Sequence, residues 1–147
     1  MTPLLVLLGT LAAATAAGLI HRRRSGQVRT VDDQRLDADE LRRLGGEPGE
    51  RATLVQFSSA FCAPCRATRR VLGEVAAMVP GVAYVEVDAE QHLDAVRRHA
   101  ILRTPTTLVL DAAGRVVVRA SGQPRKADVI AALGRAVEES TTTKRIT

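Results

Sequence analysis

Two cysteines three residues apart are the side chains with the clearest capacity for chemistry. The chain has two cysteines in all, Cys62 and Cys65, in the sequence Cys-Ala-Pro-Cys. A short apolar run at 53–57, typical of a buried strand, precedes the pair, and an amphipathic helical pattern follows it. Because one helical turn brings the two sulfurs within bonding distance, a Cys-x-x-Cys pair at such a strand-to-helix turn is typical of redox centres.

The position of the pair predicts different tasks for the two thiols. The N-terminus of the following helix supplies partial positive charge and free N–H groups, which stabilise a thiolate at Cys62. Since the thiolate is the form that attacks a disulfide, Cys62 is predicted to attack and Cys65, one turn deeper, to resolve the mixed disulfide. Pro64 suits the first turn, because a residue without an N–H loses no helical bond there.

Two other interpretations of the pair stay open at this point. The cysteines are structural and inert in the first, and in the second they are half of a zinc site completed by His92 and His99 or by a second chain. The two histidines are seven residues apart and follow polar neighbours, which favours solvated positions. We therefore predict no metal, and no cofactor besides a redox-active disulfide between Cys62 and Cys65.

Length and composition favour one folded domain. The chain has 147 residues, of which 46% are hydrophobic and 25% charged, an ordinary mixture for a globular protein. The net charge is +5, but residues 22–24 hold three of the 21 basic side chains, which leaves 18 against 16 acidic ones in the remainder. A nearly neutral domain with 2% aromatic residues lacks the basic stripe and the stacking platform that nucleic-acid binding uses.

The N-terminal segment predicts a membrane anchor. Residues 4–20 carry no charge and would span about 26 Å as a helix, the lower limit for crossing a bilayer core. Arginines at 22–24 follow this run and no Lys or Arg precedes it, which favours a cytoplasmic C-terminal side. We expect residues 1–27 to form a single-pass anchor of the cell membrane with a basic juxtamembrane linker. A cleaved signal peptide, or an extracytoplasmic domain, is the alternative.

The remaining pattern predicts an α/β domain over residues 28–140. Strands are expected at 28–31, 53–57, 82–87, 106–110 and 116–120. One helix is expected to begin at Asp37, a second to follow the cysteines and end near Met78, and two more to lie at 90–99 and 127–137. Alternating elements followed by a hairpin imply a mixed sheet with helices on both faces. Asp37 and Glu40 form a capping-box-like pair, Gly114 is expected at a positive φ in the hairpin turn, and residues 141–147 are expected to be a flexible tail.

Three stretches of this domain resemble the thioredoxin family. One stretch is similar to the family's active-site strand, turn and helix, whose usual centre is Trp-Cys-Gly-Pro-Cys; it reads TLVQFSSAFCAPCRATRR. The family's following strand, helix, cis-proline turn and hairpin are similar to VAYVEVDAEQHLDAVRRHAILRTPTTLVLDAAGRVVVRASGQ, and its N-terminal strand and helix to VRTVDDQRLDADELRRL. The resemblance covers about residues 28–140 and implies a thioredoxin fold.

The resemblance also implies a function. It indicates a thiol–disulfide oxidoreductase, a monomer that reduces protein disulfides and is recharged by a thioredoxin-reductase-like or membrane electron donor. The residues implied in substrate binding are Phe61, Ala63, Pro64, Thr104, Pro105 as the cis-proline, and Gly122. The alternatives are a non-catalytic redox sensor or docking module at the membrane, and an extracytoplasmic disulfide reductase or isomerase.

Five positions depart from the family's pattern. Phe61 replaces the tryptophan, Ala63 replaces the glycine between the cysteines, and Arg70 replaces a proline that kinks the helix in many members. Gln56 stands where the family carries a buried acid that exchanges a proton with the resolving thiol, and Tyr84 where a lysine commonly pairs with that acid. Since an amide does not titrate, we expect proton transfer to the resolving thiol to use water or another group.

Overall fold

The structure, a computed structural model, describes residues 2–24, 28–30 and 34–145. Its helices are α1 (Thr2–Arg24), α2 (Ala38–Arg43), α3 (Ala63–Met78), α4 (Leu93–Arg98) and α5 (Lys126–Arg145). Its strands are β1 (Val28–Thr30), β2 (Ala52–Ser58), β3 (Val82–Asp88), β4 (Thr106–Asp111) and β5 (Val116–Ser121). The predicted alternation of strands and helices, with a hairpin before the last helix, is confirmed.

The described strands form one mixed sheet in the order β1-β5-β4-β2-β3. Strands β2 and β3 run parallel, whereas the pairs β2–β4, β4–β5 and β1–β5 are antiparallel. Every residue of β2 is buried, and the strand lies between β4 and β3. The turn that follows β2 therefore starts from the middle of the sheet, which gives the cysteine pair a rigid support.

Helices cover both faces of this sheet, as predicted. Because side chains of a strand alternate between faces, β2 directs Val55 and Phe57 toward α2 and α4, and Leu54 toward α3 and α5. The core on each side is almost entirely aliphatic, which follows from a composition with 2% aromatic residues. Gln56 lies between Val55 and Phe57 in the strand, so its side chain points to the opposite face, toward α3 and beneath the cysteine pair.

The apolar N-terminal segment is helical, and its described side chains are exposed along residues 5–20. Within the described ranges, however, no helix combines the length and the apolar character that a bilayer crossing requires. The predicted transmembrane anchor is therefore not supported. The uncharged run has 17 residues, which is the lower limit for a span, and residues 25–27 of the predicted linker lie outside the described residues.

The predicted end of the last helix is wrong. A helix was expected to end at 137 and a tail to begin at 141, but α5 continues to Arg145. No glycine or proline occurs between 137 and 145 to end it. Ser140 also ties the helix to the β4–β5 turn, because its Oγ accepts the Ala112 N–H at 3.0 Å. Residues 146–147 lie outside the described residues.

The predicted capping pair is half right. The Asp37 side chain accepts the Glu40 N–H at 2.8 Å and caps α2 as expected. The Glu40 carboxylate is instead buried between α2 and α4, where it bonds to Arg98 and lies 3.0 Å from Nε2 of His99. His99, expected in solvent, is 3% exposed and packs against Phe57, because α4 closes over this face of the sheet.

Helices α2 and α4 end in the same backbone motif with different residues. The N–H of Gly46 bonds to the Leu41 carbonyl at 3.0 Å, and the N–H of Ile101 bonds to the Val96 carbonyl at 2.8 Å. In both helices the residue just before the donor has a left-handed backbone conformation, with φ 87° at Gly45 and φ 48° at Ala100. This conformation is ordinary for glycine, whereas it costs a residue with a Cβ about 1–2 kcal/mol.

The two helix ends give a matched pair of substitutions. We expect Ala100→Gly to stabilise the chain, and Gly45→Ala to destabilise it, each by about 0.5–1 kcal/mol, because glycine's greater freedom in the unfolded state offsets part of the strain. A Cβ at Gly45 meets no atom within 4 Å, so the backbone alone decides this cost. Urea unfolding measures both changes, and two shifts of the same sign would contradict the expectation.

Candidate active site

The cysteine pair lies where β2 ends and α3 begins, as predicted. Cys62 and Cys65 form a disulfide with a Cα–Cα distance of 5.2 Å. Cys62 is partly exposed, whereas Cys65 is 1% exposed. A molecule arriving from solvent therefore reaches the sulfur of Cys62 and not that of Cys65, which supports the predicted division into an attacking and a resolving thiol.

The first turn of α3 is arranged around the sulfur of Cys62. Cys62 is the N-cap of the helix, and its Sγ accepts the Cys65 N–H at 3.2 Å. Pro64 occupies the first turn, as predicted. When the disulfide is reduced, an N–H aimed at sulfur and the positive end of the helix dipole both favour the thiolate of Cys62.

A neutral pair of side chains lies beneath the disulfide. Gln56 is fully buried, its Nε2 donates to the Cys65 carbonyl at 2.9 Å, and its Oε1 accepts the Tyr84 hydroxyl at 2.8 Å. Gln56 and Tyr84, which both depart from the family's pattern, are therefore hydrogen-bonded to each other. Since both side chains are neutral, no buried charge needs a partner here. Sequence reasoning found both positions but not the bond to the backbone of Cys65.

Tyr84 holds its proton more firmly than an ordinary tyrosine. Burial disfavours the phenolate and, with the nearby negative charge of Glu86, raises the pKa of Tyr84 to about 12. The phenol is thus protonated throughout the neutral range. It donates to Gln56 and is unsuited to act as a base for the buried thiol.

The turn before β4 carries the second predicted part of the site. The Thr104–Pro105 peptide bond is cis, as expected. The Pro105 carbonyl accepts the Gly122 N–H at 2.7 Å, and Gly122 has φ 92°, which favours glycine at this position. The hydroxyls of Thr104 and Ser59 are 3.0 Å apart and share a hydrogen bond, so this turn is joined to the loop that precedes the cysteines.

The residues next to Cys62 in the chain are apolar and exposed. Phe61 is fully exposed, and Ala63 and Pro64 are exposed beside it. Leu102, in the segment leading to Pro105, is also almost fully exposed. Sequence reasoning missed Leu102, although an isolated leucine between a helix end and the Thr-Pro turn was a visible indication. A fully exposed aromatic ring with apolar neighbours beside Cys62 gives this end of the chain's cysteine pair an apolar contact area.

A cavity of about 410 Å³ borders the disulfide. Both cysteines line it, together with charged side chains from α3 and β3. Glu86 is the best anchored of these: its Oε1 accepts the Ser58 hydroxyl and an N–H of Arg69, both at 2.7 Å. Sequence reasoning missed Glu86, although it lies two residues after Tyr84 and therefore on the same face of its strand.

The zinc interpretation gains no support from the geometry. In the part of the chain that the structure describes, no three His, Cys, Asp or Glu side chains cluster as metal ligands would. His99 contacts Glu40 on the far face of the sheet from the α3 helix that carries Cys65.

The chain forms a mixed sheet between two helical layers. A Cys-x-x-Cys disulfide lies at a helix N-terminus, and a cis-proline turn is joined to the loop that precedes it. Together these features define a thioredoxin-fold domain with a dithiol–disulfide centre. The thioredoxin family model matches residues 42–135. This match covers more than half of the chain, and the chain belongs to the thioredoxin family.

Two curated relatives match parts of the chain. Thioredoxin domain-containing protein 2 of Homo sapiens is 38% identical over 60 residues, which are 41% of this chain and 11% of that protein. Thioredoxin H5 of Oryza sativa subsp. japonica is 28% identical over 85 residues, 58% of this chain and 62% of that protein. The chain thus spans less than two thirds of either relative.

Solved structures show the same fold. The thioredoxin of Fasciola hepatica is 26% identical, with a TM-score of 0.56 over 68% of this chain and 94% of that one. A mutant thioredoxin from Halobacterium salinarum is 17% identical, with a TM-score of 0.58 over 73% of this chain and 88% of that one.

Proposed function

We propose that this protein is a thiol–disulfide oxidoreductase that reduces protein disulfides. Membership of the thioredoxin family supports the chemistry. The observation that carries the proposal is the unequal exposure of the two cysteines of one disulfide: Cys62 is partly exposed at the N-terminus of α3, whereas Cys65 is buried one turn further along.

The reaction proceeds in two exchanges. The thiolate of Cys62 attacks one sulfur of the substrate disulfide, and the other substrate sulfur leaves as a thiolate that takes up a proton. Cys65 then loses its proton and attacks the sulfur of Cys62, which releases the second substrate thiol and forms the Cys62–Cys65 disulfide. Two electrons pass to the substrate, and a donor of the thioredoxin-reductase kind returns them.

The surroundings of Cys62 favour a polypeptide as substrate. Phe61 and Leu102 offer exposed apolar area, and Thr104 offers backbone groups to an extended segment before the cis-proline. We propose that the segment containing the substrate disulfide lies along this turn, which the bond from the Gly122 N–H to the Pro105 carbonyl holds in place.

Turnover tests the proposal directly. The full chain, supplied with dithiothreitol, is expected to accelerate the reduction of insulin disulfides, which precipitates the insulin B chain and is followed as turbidity. A non-catalytic docking module, which the departures at Phe61 and Gln56 favour, would show no acceleration with both cysteines intact.

The midpoint potential of the cysteine couple separates reduction from isomerisation. A value near or below about −250 mV supports the reductase, whereas a value of about −180 to −120 mV is typical of isomerases and oxidases. Equilibration of the full chain with glutathione or dithiothreitol buffers, followed by thiol alkylation, measures it.

A further inference from the structure

We propose that Glu86 takes the proton from Cys65 across the cavity beside the disulfide, so that the resolving thiol is activated from the cavity wall rather than from position 56. The inference rests on the proposed reductase function and identifies a group that serves its second step. Sequence and fold alone did not single out this residue.

The need for such a group follows from the surroundings of Cys65. A buried thiol attacks only after it loses its proton, and desolvation opposes that loss. Gln56 lies against Cys65 and donates to its carbonyl, but an amide does not titrate and so cannot take the thiol proton. Tyr84 is bonded to Gln56 and keeps its own proton in the neutral range. A base for Cys65 must therefore lie elsewhere.

The cavity supplies a path to a carboxylate. Cys65 and Glu86 line the same space of about 410 Å³, which has room for water between them. The Glu86 side chain is 26% exposed. Ser58 and Arg69 hold its carboxylate from β2 and α3, and both of these bonds fall on Oε1. The Glu86 carboxylate is thus held in place through Oε1, and its other oxygen, Oε2, is the atom that would take the proton.

Asp88 is the other described carboxylate of the cavity wall, and its bonds direct it elsewhere. Its Oδ1 accepts the Glu90 N–H at 2.9 Å, and its Oδ2 accepts the amide of Gln91 at 2.8 Å. Both oxygens are therefore engaged by the loop that leads to α4. The remaining charged neighbours of Glu86 are Arg66 and Arg69, which face the cavity from α3.

The proposed step balances as a proton relay. In the mixed disulfide, the proton of the Cys65 thiol passes through cavity water to the Glu86 carboxylate. The Cys65 thiolate attacks the sulfur of Cys62, the bond from Cys62 to the substrate sulfur breaks, and that sulfur leaves with the electron pair. The proton on Glu86 then returns through water to the departing thiolate, which leaves as a thiol.

A stopped-flow experiment isolates this step. The reduced full chain is mixed with dithiobis-nitrobenzoate, whose two thiolates are released in succession and absorb visible light. The first phase reports attack by Cys62 and depends on reagent concentration, whereas the second reports resolution by Cys65 and does not. We expect Glu86→Gln to slow the second phase by about 10-fold or more at neutral pH, to flatten its pH profile, and to leave the first phase within about twofold.

Matched variants separate proton transfer from packing. Glu74→Gln removes an exposed carboxylate that is paired with Lys126 at 2.9 Å, and we expect it to change neither phase. Adding Gln56→Glu to Glu86→Gln restores a titratable group under Cys65 and is expected to recover the second phase. If Glu86→Gln does not fold, the equal-sized pair Glu86→Asp and Glu86→Asn replaces it, with the aspartate variant expected to be faster by about 10-fold.

The outcomes distinguish this inference from the proposed function. A second phase within about twofold of the parent chain across the pH range, in folded Glu86→Gln or in the Asp and Asn pair, would overturn the role of Glu86. If the second phase slows as expected but insulin is not reduced by the parent chain, the role of Glu86 stands and the protein-reductase proposal fails.

Discussion

The Cys65→Ser variant is expected to accumulate a stable mixed disulfide between Cys62 and a substrate cysteine. In the parent chain the resolving sulfur is held one helical turn away, so its attack has the advantage of an intramolecular reaction. Without it, release depends on thiols from solution, and we expect turnover of insulin to fall by about 10³-fold or more. Non-reducing gels and intact mass measure the adduct.

The Cys62→Ser variant is the control for this experiment. Its remaining sulfur, on Cys65, is 1% exposed, so we expect neither adduct nor turnover. Equal amounts of adduct in the two variants would contradict the assignment of Cys62 as the attacking thiol, because that assignment depends on their unequal exposure.

Tyr84 is expected to titrate about two pH units above a free tyrosine. The chain has one tyrosine and no tryptophan, so tyrosinate absorbance in the near ultraviolet reports Tyr84 alone. Burial is the main cause that raises the pKa of this phenol to about 12, and Glu86 adds to it. In urea the same group is expected to titrate near 10, and a native midpoint near 10 would contradict the partial burial of this phenol beside Glu86.

The same shift predicts a loss of stability at high pH. The folded pKa lies above the unfolded one, so the contribution of the neutral phenol is fully present below about pH 10 and is lost as the pH rises through 12. Because the Tyr84 side chain is partly exposed, solvent screening limits this contribution to about 1 kcal/mol. Urea unfolding at a series of pH values, with far-ultraviolet circular dichroism on the same samples, measures it.

The Tyr84→Phe variant provides the comparison. It removes the absorbance change and this part of the pH dependence. It also leaves Oε1 of buried Gln56 without its donor, which is expected to cost about 1–3 kcal/mol at neutral pH. A variant as stable as the parent chain would show that the Gln56–Tyr84 bond contributes little.

The neutral pair and the cavity carboxylate are connected by the strand that carries both. Tyr84 and Glu86 lie on the same face of β3, and the parallel register sets Glu86 beside Gln56 on β2. A titratable acid at position 56 would place a charge in the core, whereas Glu86 remains in contact with solvent and with Arg69. Proton handling at the wall of the cavity thus avoids the desolvation of a buried carboxylate.

Features that depend on neighbouring residues were predictable from the amino-acid order. The spacing of Cys62 and Cys65 fits one helical turn. The alternating and helical patterns around them placed the strands and helices close to their observed bounds, apart from the end of α5. Gly114, at φ 78°, lies in the predicted hairpin turn. The cis bond before Pro105 came from resemblance to a family, since proline alone leaves both isomers open.

Features that depend on residues far apart in the chain required the folded structure. The burial of Cys65, the bond from Gln56 to its carbonyl and the position of Glu86 all follow from how α3 packs on the face of the sheet formed by β2 and β3. His99 became a core residue because α4 closes over the sheet, and the bond that joins Ser140 of α5 to the distant β4–β5 turn was visible only in the folded chain. Local patterns specify which face of an element is apolar, whereas the register between elements specifies which polar groups meet.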